Sequence, residues 1–248
     1  MNTYDMTQPE LEELSTDTAI LPFASLEQHG AHLPLSTDCI TTEAFANRIA
    51  EAMNAYQIPT IPISTCREHM GKIGSVWMNP DTFYHMVMDI CHCLQEQGFK
   101  KVVIIQGHGG IFMLTPTVRQ LNATLNPDLM VACVNYYDNM DAYRAAGVVE
   151  SDVCLHADEL ETSVVMYLRG ELVHTERIVD HKPEVPRPYL NYGSIFRACP
   201  DGVWGVPSLA SAEKGRKILE MGSSYMVEEA RKIFAYMENK KPVGYSSF

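Results

Sequence analysis

The segment LEQHGAHLPLSTD, from Leu26 to Asp38, combines residue types that bind metal ions. It holds a glutamate, two histidines and an aspartate within thirteen residues: Glu27, His29, His32 and Asp38. In an extended segment, residues two apart point to the same side, so Glu27 and His29 can face one ion. The alternative is a polar surface loop in which Asp38 satisfies the free amides of a following helix. His32 is not required as a ligand by this spacing, and we interpret it as a residue that supports the site or the fold.

Two further clusters carry groups that could do chemistry. His108 lies in the run GHGG, whose glycines suit a tight turn and a close backbone approach. A phosphate cradle is a weaker interpretation of this run, because the GxxxxGK[ST] and GxGxxG patterns are absent. The run HADELETS contains His156, Glu159 and Glu161. Its acids suit the first turn of a helix, and its histidine and glutamates also suit general acid–base catalysis.

Carboxylates and imidazoles together are typical ligands of Zn²⁺, Mn²⁺ or Fe²⁺. A carboxylate such as Asp38 could bridge two ions ~3.5–4 Å apart. Such ions lower the pKa of bound water toward ~7 and polarise a carbonyl group, so hydrolysis at a carbonyl is the expected reaction. A serine hydrolase is disfavoured because the chain has no GxSxG sequence. The non-enzymatic alternative is a binding protein built on the same fold.

The elements that must position these residues alternate along the chain. We predict strands and helices at these positions: strands 18–25, 58–65, 101–106 and 129–134, and helices 40–55, 81–97, 115–126 and 159–168. A long ordered loop is predicted at 179–204, a helical stretch at 212–237 with an interruption near 222–224, and frayed residues at 240–248. This order predicts a single-domain α/β layered fold over residues 1–248, with a small, mostly parallel sheet flanked by helices.

The rule for such sheets is that ligands bind beyond the carboxyl ends of the strands. The three polar clusters that begin at Glu27, Arg67 and Gly107 each follow one of the first three predicted strands. We therefore expect them to meet at one edge of the sheet.

Composition limits the partners of the protein. The formal net charge of −12 disfavours nucleic acids and anionic membrane surfaces, and a small-molecule substrate is expected instead. No apolar run approaches the ~18–20 residues needed to span a bilayer. The seven scattered cysteines and a first segment without a basic start or apolar core favour a reduced, cytoplasmic protein.

The blocks LEQHGAHLPLSTD, GHGG, HADELETS and SAEKGRKILE resemble, in this order, the creatininase (creatinine amidohydrolase) family. The resemblance spans roughly Leu21 to Glu220. It implies an α/β fold, assembly as a homo-oligomer with a hexamer favoured, and one or two divalent ions (Zn²⁺, Mn²⁺ or Fe²⁺) at the carboxyl edge of the sheet. The activity it implies is hydrolysis of a small cyclic amide similar to creatinine.

Matching positions assign roles to individual residues. The implied metal ligands are Glu27, His29, Asp38 and His108, with Asp38 bridging two ions. In creatininase proper, His29 and His108 would share one of these ions with Asp38, while Glu27 and Asp38 would hold the other. The implied catalytic residues are His156 as a proton donor or acceptor, with Glu159 or Glu161 assisting. The residues expected to bind substrate are Glu68, His69, Trp77 and Gly109.

Some positions depart from the family pattern. The family glutamate two residues after the GH histidine is replaced here by Gly110, and the next residue, an asparagine in the family, is Ile111. One ion therefore loses a ligand unless Glu161 or Glu159 supplies it. The segment REHMGKIGSVWMNPDTF also differs from the family's EHxxFPGTxS and predicts a different pocket around Trp77. Alternative activities on the same fold are carbon–carbon ring opening of a diketo-inositol and deformylation.

Overall fold

The computed structural model of the protein describes residues 3–125 and 128–239. Within these ranges the strands are β1 (Thr18–Phe23), β2 (Tyr56–Gln57), β3 (Lys101–Gln106), β4 (Met130–Val134), β5 (Cys154–His156) and β6 (Trp204–Gly205). The helices are α1 (Gln8–Leu14), α2 (Thr37–Met53), α3 (Pro80–Glu96), α4 (Leu114–Leu125), α5 (Met140–Ala145), α6 (Glu159–Arg169) and α7 (Ala212–Glu238). Short 3₁₀ turns, including Arg67–His69 and Arg187–Tyr192, connect them.

A four-stranded sheet with the order β2-β1-β3-β4 lies at the centre, and each of its pairings is parallel. The strands β5 and β6 form a separate antiparallel pair. Successive side chains of a strand point to opposite faces. Accordingly, Val102 and Ile104 pack with α3 and α4 on one face, while Val103 and Ile105 pack with α2, α6 and α7 on the other. The predicted α/β layered fold with a small parallel sheet between helices is confirmed.

The second strand is shorter than predicted. A strand was expected at 58–65, but regular pairing is limited to Tyr56–Gln57, and Ile61 forms one isolated bridge with Phe23. Pro59 and Pro62 lack the amide hydrogens that a continuous ladder requires. The segment still follows the edge of β1, since the amide of Ile61 donates to the carbonyl of Pro22 at 3.0 Å.

The helix α7 continues through the predicted interruption. Gly222 lies inside it because a Cβ at this position would come within 2.4 Å of the Tyr143 hydroxyl and 2.9 Å of the Phe45 ring. Gly215 similarly lets α7 approach α6, since a Cβ there would lie 2.0 Å from the carbonyl oxygen of Ser163. These glycines serve close helix packing, and the prediction of a break was wrong.

The long loop at 179–204 is confirmed, except that its last residue begins β6. The fraying predicted for 240–248 concerns residues outside the described ranges. Among the described helices, none is long and apolar enough to cross a membrane.

Candidate metal centre

The predicted polar clusters meet at the carboxyl edge of the parallel sheet. Glu27 and His29 follow β1, His108 follows β3, and Asp38 lies in the first turn of α2. The small β5–β6 pair and the start of α6 close the site from the other side, bringing His156 and Glu161. Each of these side chains is at most 7% exposed.

One half of the centre is built around His29. Its Nε2 lies 3.2 Å from Oδ1 of Asp38 and 3.6 Å from Oε2 of Glu161. Its Nδ1 lies 3.2 Å from the backbone carbonyl oxygen of Glu27. Because a carbonyl oxygen only accepts, Nδ1 carries a hydrogen. Burial lowers the pKa of His29, but Asp38 and Glu161 outweigh it and hold the pKa well above 6.5, so a metal ion bound at Nε2 would take the place of a proton.

The position of Glu161 depends on the turn before α6. The backbone amide of Ala157, a residue with the unusual φ of +49°, donates to Oε2 of Glu161 at 2.6 Å. Asp158 caps the helix by accepting from the Glu161 amide at 3.0 Å, and its other oxygen accepts from the Tyr137 hydroxyl at 3.3 Å. The run HADELETS therefore is a helix start, as its acids indicated, and it also delivers a carboxylate to the centre.

The other half of the centre is built around His108. Its Nδ1 lies 3.2 Å from Oε1 of Glu27 and 3.3 Å from Oδ2 of Asp38. Its Nε2 donates to Oε1 of Glu68 at 3.2 Å. The two oxygens of Asp38 thus face different histidines, which is the arrangement of a bridging carboxylate.

Three buried atoms at the heart of the centre have no hydrogen-bond partner among the described residues: Oε1 of Glu27, Nε2 of His29 and Oδ2 of Asp38. An unpaired buried polar atom costs about 1–3 kcal/mol, so several of them converging on one point need an explanation. Lone pairs of carboxylates and imidazoles pointing at one another fit a divalent cation held between them. The donors present therefore fit the metal that the residue types predicted.

Spacing alone defines three sets of possible ligands in the described part of the chain: Glu27, His29 and His156; Glu27, His69 and His108; and His29, Asp38 and Glu161. No set contains both His29 and His108. These two histidines lie against opposite oxygens of Asp38, and their sharing of one ion stays a prediction.

The electrostatics of the centre are those of charges held out of water. Burial raises the pKa of Glu27, with the charge of Asp38 acting in the same direction and those of His108 and His29 against it. Burial also disfavours the charge of Asp38, but His29 and His108 outweigh it and hold the pKa of that carboxyl well below its usual range. Asp38 is thus an anion across the physiological pH range.

His156 lies beside the centre and lines the adjoining cavity. Its Nε2 lies 2.8 Å from the backbone carbonyl oxygen of Gln28, which can only accept, and 3.0 Å from the side-chain nitrogen of Gln28. The shorter contact places the hydrogen on Nε2, so Nδ1, which faces the cavity 3.7 Å from Oε1 of Glu27, keeps a lone pair. Burial and the neighbouring imidazoles of His29, His69 and His108 hold the pKa of His156 well below 6.5. The ring is therefore neutral and able to accept a proton at Nδ1.

His69 is oriented differently. The side-chain oxygen of Gln28 accepts from the Gly30 amide at 3.0 Å, which directs the side-chain nitrogen of Gln28 toward Nδ1 of His69 at 3.2 Å. Nδ1 of His69 accepts this bond, so Nε2 carries the hydrogen and faces Oε1 of Glu27 at 3.2 Å. The contact lies within ion-pair distance but does not form a hydrogen bond, so Oε1 of Glu27 stays without a hydrogen-bond partner. With its hydrogen on Nε2, His69 is less suited to metal binding than its distance to Glu27 indicates.

Two residues with sequence-based roles lie outside the centre. Glu159 is fully buried, but its carboxylate accepts from Lys214 at 2.5 Å and from the Ser151 amide at 2.7 Å. Trp77 packs under the guanidinium of Arg67, 5.3 Å from its ring centroid, and does not line the cavity. Neither the catalytic role expected of Glu159 nor the substrate contact expected of Trp77 has support in this geometry.

A cavity of about 320 Å³ opens from the centre. Glu68, His69 and Gly109, three of the four residues expected to bind substrate, line it. Sequence reasoning missed other residues of its wall: Phe112, Asn135, Tyr137, Asp138, Arg144 and Arg187. Asn135 directly follows β4, so the strand-end rule that identified His108 could also have identified it. Arg187 lies in the long loop, where no periodic pattern indicates a position.

Comparison with known proteins agrees with this geometry. The sequence profile of the creatininase family, described as creatinine amidohydrolase, matches residues 4–230. The chain belongs to the creatininase family. It is therefore a hydrolase.

Relatives within the family differ in their substrates. The 3-dehydro-scyllo-inosose hydrolase of Thermotoga maritima is 26% identical over 92% of this chain and 82% of its own. The mycofactocin precursor peptide peptidase of Mycobacterium ulcerans is 28% identical over 88% of this chain and 90% of its own. A solved structure of creatininase with Mn superposes with a TM-score of 0.81 at 25% identity, covering 94% of this chain and 98% of that one.

Proposed function

We propose that the protein is a divalent-metal-dependent hydrolase that adds water to the carbonyl group of a small, polar substrate. A cyclic amide similar to creatinine is the first candidate. The observation that carries the proposal is the convergence of three unpartnered buried atoms, on Glu27, His29 and Asp38. They contact His108, His156 and Glu161, which line a cavity. A solved structure of creatininase with Mn, similar to this chain in fold, supports the proposal that this protein binds a divalent metal.

The residues that would hold the metal are Glu27, His29, Asp38, His108 and Glu161. A divalent ion bound there supplies Lewis acidity and lowers the pKa of water toward ~7. The site suits Zn²⁺, Mn²⁺ or Fe²⁺, because its donors are carboxylates and imidazoles without a thiolate. We propose one or two such ions.

The chain's own proton carrier is His156. Its lone pair at Nδ1 faces the centre, and its hydrogen at Nε2 is fixed on the Gln28 carbonyl. Nδ1 can therefore take a proton from the attacking water and return it to the leaving group of the substrate. Glu161, held by the Ala157 amide, adds negative charge beside His29 and assists this half of the site.

The experiment is a substrate panel with purified protein loaded separately with Zn²⁺, Mn²⁺ and Fe²⁺. Creatinine, other cyclic amides and formamides are offered, and ring opening or release is followed by chromatography. We expect His156→Asn to retain its metal while turnover falls about 10²–10⁴-fold, the usual contribution of a general acid–base group. The matched control is Asp152→Asn, which removes an exposed carboxylate paired with Lys182 away from the cavity. Wild-type protein that binds no divalent metal would refute the proposal.

A second candidate is carbon–carbon ring opening of a polyhydroxylated diketone. The polar outer wall of the cavity favours it, since Asn135, Asp138, Arg144 and Arg187 offer more hydrogen bonds than a ring as small as creatinine can use. The inosose hydrolase relative supports this class. Creatinine turnover at ordinary enzymatic rates of ~1–10³ s⁻¹ would exclude it, and cleavage of a diketo-inositol without creatinine turnover would favour it. Deformylation is tested by the formamides in the same panel.

We also propose that the protein works in the cytoplasm as a homo-oligomer, with a hexamer favoured by the family resemblance. Light scattering coupled to size-exclusion chromatography measures the subunit number. A monomer at micromolar concentration would contradict this part of the proposal.

A further inference from the structure

The space beside Gly110 is filled by another part of the chain. A Cβ atom added to Gly110 would lie 1.5 Å from Oε1 of Glu68 and 2.4 Å from Nε2 of His108. The φ of Gly110 is not in the left-handed region, so its backbone does not require glycine. A side chain at position 110 would have to displace the carboxylate of Glu68, which occupies its volume, and would crowd the His108 ring.

Glu68 reaches this space from the 3₁₀ turn Arg67–His69, which is joined to the loop after β3. The hydroxyl of Thr65 donates to the Gly110 carbonyl at 3.1 Å, and the His69 amide closes the turn on the Cys66 carbonyl at 3.0 Å. The Glu68 side chain is 10% exposed. Two separate loops are therefore fastened together at the point where the carboxylate meets the imidazole.

The contact between Glu68 and His108 fixes which nitrogen of the ring carries hydrogen. The carboxylate accepts from Nε2 at 3.2 Å, so Nδ1 is the nitrogen whose lone pair a metal ion would share. That lone pair faces Oε1 of Glu27 and Oδ2 of Asp38, both of which lack a hydrogen-bond partner in the described chain. Glu68 itself belongs to none of the three possible ligand sets.

In the other half of the centre, the ring of His29 is oriented by a neutral group, the backbone carbonyl of Glu27, which accepts from Nδ1. A carboxylate behind a ligating histidine orients the ring and also raises its basicity. His108, which lies next to Gly110, therefore has the charged carboxylate of Glu68 as its acceptor, whereas His29 has a neutral carbonyl.

We propose that Glu68 is a positioning residue for the metal centre, and that it acts through His108 in the place of a side chain at position 110. This inference rests on the proposed function, because it assumes that the centre binds a divalent ion. Glu68 orients the ring, strengthens Nδ1 as a ligand and occupies the volume that a side chain at position 110 would take.

The test is Co²⁺ binding to metal-free protein, followed by titration and by the visible absorption bands that report ligand geometry. Glu68→Ala is expected to bind Co²⁺ about 10–100-fold more weakly with altered bands, and with an unchanged number of ions at saturation. Glu68→Gln, whose amide oxygen can still accept from Nε2, is expected to lose less affinity and to keep the wild-type bands. Asp138→Asn is the matched control, because it removes another carboxylate from the same cavity without touching a ligand.

Each outcome decides the matter. Affinity within about 2-fold of wild type in Glu68→Ala overturns the inference, as does an equal loss in Asp138→Asn, which would indicate a general charge effect. Loss of one bound ion in Glu68→Gln also overturns it, since Glu68 would then be a ligand. Wild-type protein that binds no Co²⁺ refutes the proposed function instead, so the two failures are distinguishable.

Substitution of the glycine provides a second measurement that leaves Glu68 in the chain. Gly110→Ala places a methyl group where the carboxylate and the imidazole nitrogen now lie. We expect it to weaken Co²⁺ binding at least as much as Glu68→Ala does. Wild-type affinity in folded Gly110→Ala, checked by circular dichroism, would contradict the inference.

Discussion

Two glutamates in the first turn of α6 show what separates a structural charge from a functional one. Glu159 and Glu161 are 0% and 4% exposed and stand two residues apart. The carboxylate of Glu159 has a complete set of partners, namely the amides of Glu150 and Ser151 and the ammonium of Lys214. Glu161 has one amide, from Ala157, and otherwise faces His29 in the centre.

Burial alone therefore does not identify the functional charge. A buried carboxylate normally finds partners that offset the cost of leaving water, and Glu159 has found them. In the centre, by contrast, Glu27, His29 and Asp38 keep atoms without partners. The difference lies in unsatisfied lone pairs, which a protein retains where a ligand will satisfy them.

The largest expected effect comes from removing the residue that both halves of the centre share. Asp38→Ala should abolish retention of the metal and lower turnover by at least about 10³-fold, more than the loss of one stabilising group. Elemental analysis after purification in chelator-free buffer measures the metal. The control is Glu159→Gln, which should retain the wild-type metal content although it alters a buried carboxylate. A metal content of Asp38→Ala equal to that of the wild type would contradict the assignment of the metal centre.

The next largest effect is expected from removing the cation that pairs with Glu159. Lys214→Met should lower the free energy of unfolding by about 3–5 kcal/mol, because the charge of Glu159 stays buried without its cation. Urea denaturation followed by circular dichroism measures it. Metal content of the folded variant should not change. A loss below about 1 kcal/mol would mean that the amides of Glu150 and Ser151 suffice for Glu159.

The sequence was sufficient to predict the residues of the centre that follow the ends of strands. Glu27, His29 and His108 follow strands that read clearly as apolar runs, and parallel strands bring their carboxyl ends to one edge. β3 was predicted with its observed bounds, Lys101–Gln106, because both of its faces are apolar.

What could not be predicted depends on contacts between distant segments. Nothing in HADELETS tells Glu159 from Glu161, since the difference is made by Lys214 in another helix. The long loop that brings Arg187 to the cavity has no periodicity. The sequence indicated only that a metal-binding glutamate is missing at Gly110. The folded chain shows that the Glu68 carboxylate occupies the space where a side chain at position 110 would lie.

His32 is a buried histidine beside the centre whose hydrogen bonding is incomplete. It is 0% exposed, its Nε2 lies 3.0 Å from the Thr162 hydroxyl, and its Nδ1 has no partner in the described structure. Burial, with help from the charge of His29, lowers the pKa of His32 to about 4. The folded ring is therefore neutral at a pH where the unfolded ring, with a pKa of about 6.5, takes up a proton.

The sign of the pH effect follows from this difference. Stability is unaffected by His32 above about pH 6.5, falls as the pH decreases toward 4, and levels off below the folded pKa. The loss from His32 alone amounts to about 3 kcal/mol. His32→Gln should remove this part of the acid dependence, measured as the difference between the urea stabilities of variant and wild type from pH 7 to pH 4. Parallel curves would show that His32 does not titrate in this way.

The smallest expected effect lies at the start of α7, in the turn that carries Lys214, the partner of Glu159. The hydroxyl of Ser211 caps this helix by accepting from the Lys214 amide at 3.3 Å, and its own amide donates to Ser163 at 3.2 Å. Ser211→Ala should cost about 1 kcal/mol of unfolding free energy, and Ser211→Asp should retain the cap. Because the cap holds the turn that carries Lys214, a loss of 3 kcal/mol or more would mean that the pairing of Glu159 depends on the cap as well as on the cation. In either case the metal content should stay at the wild-type value, since the lone pairs that hold the ion do not depend on this corner of the fold.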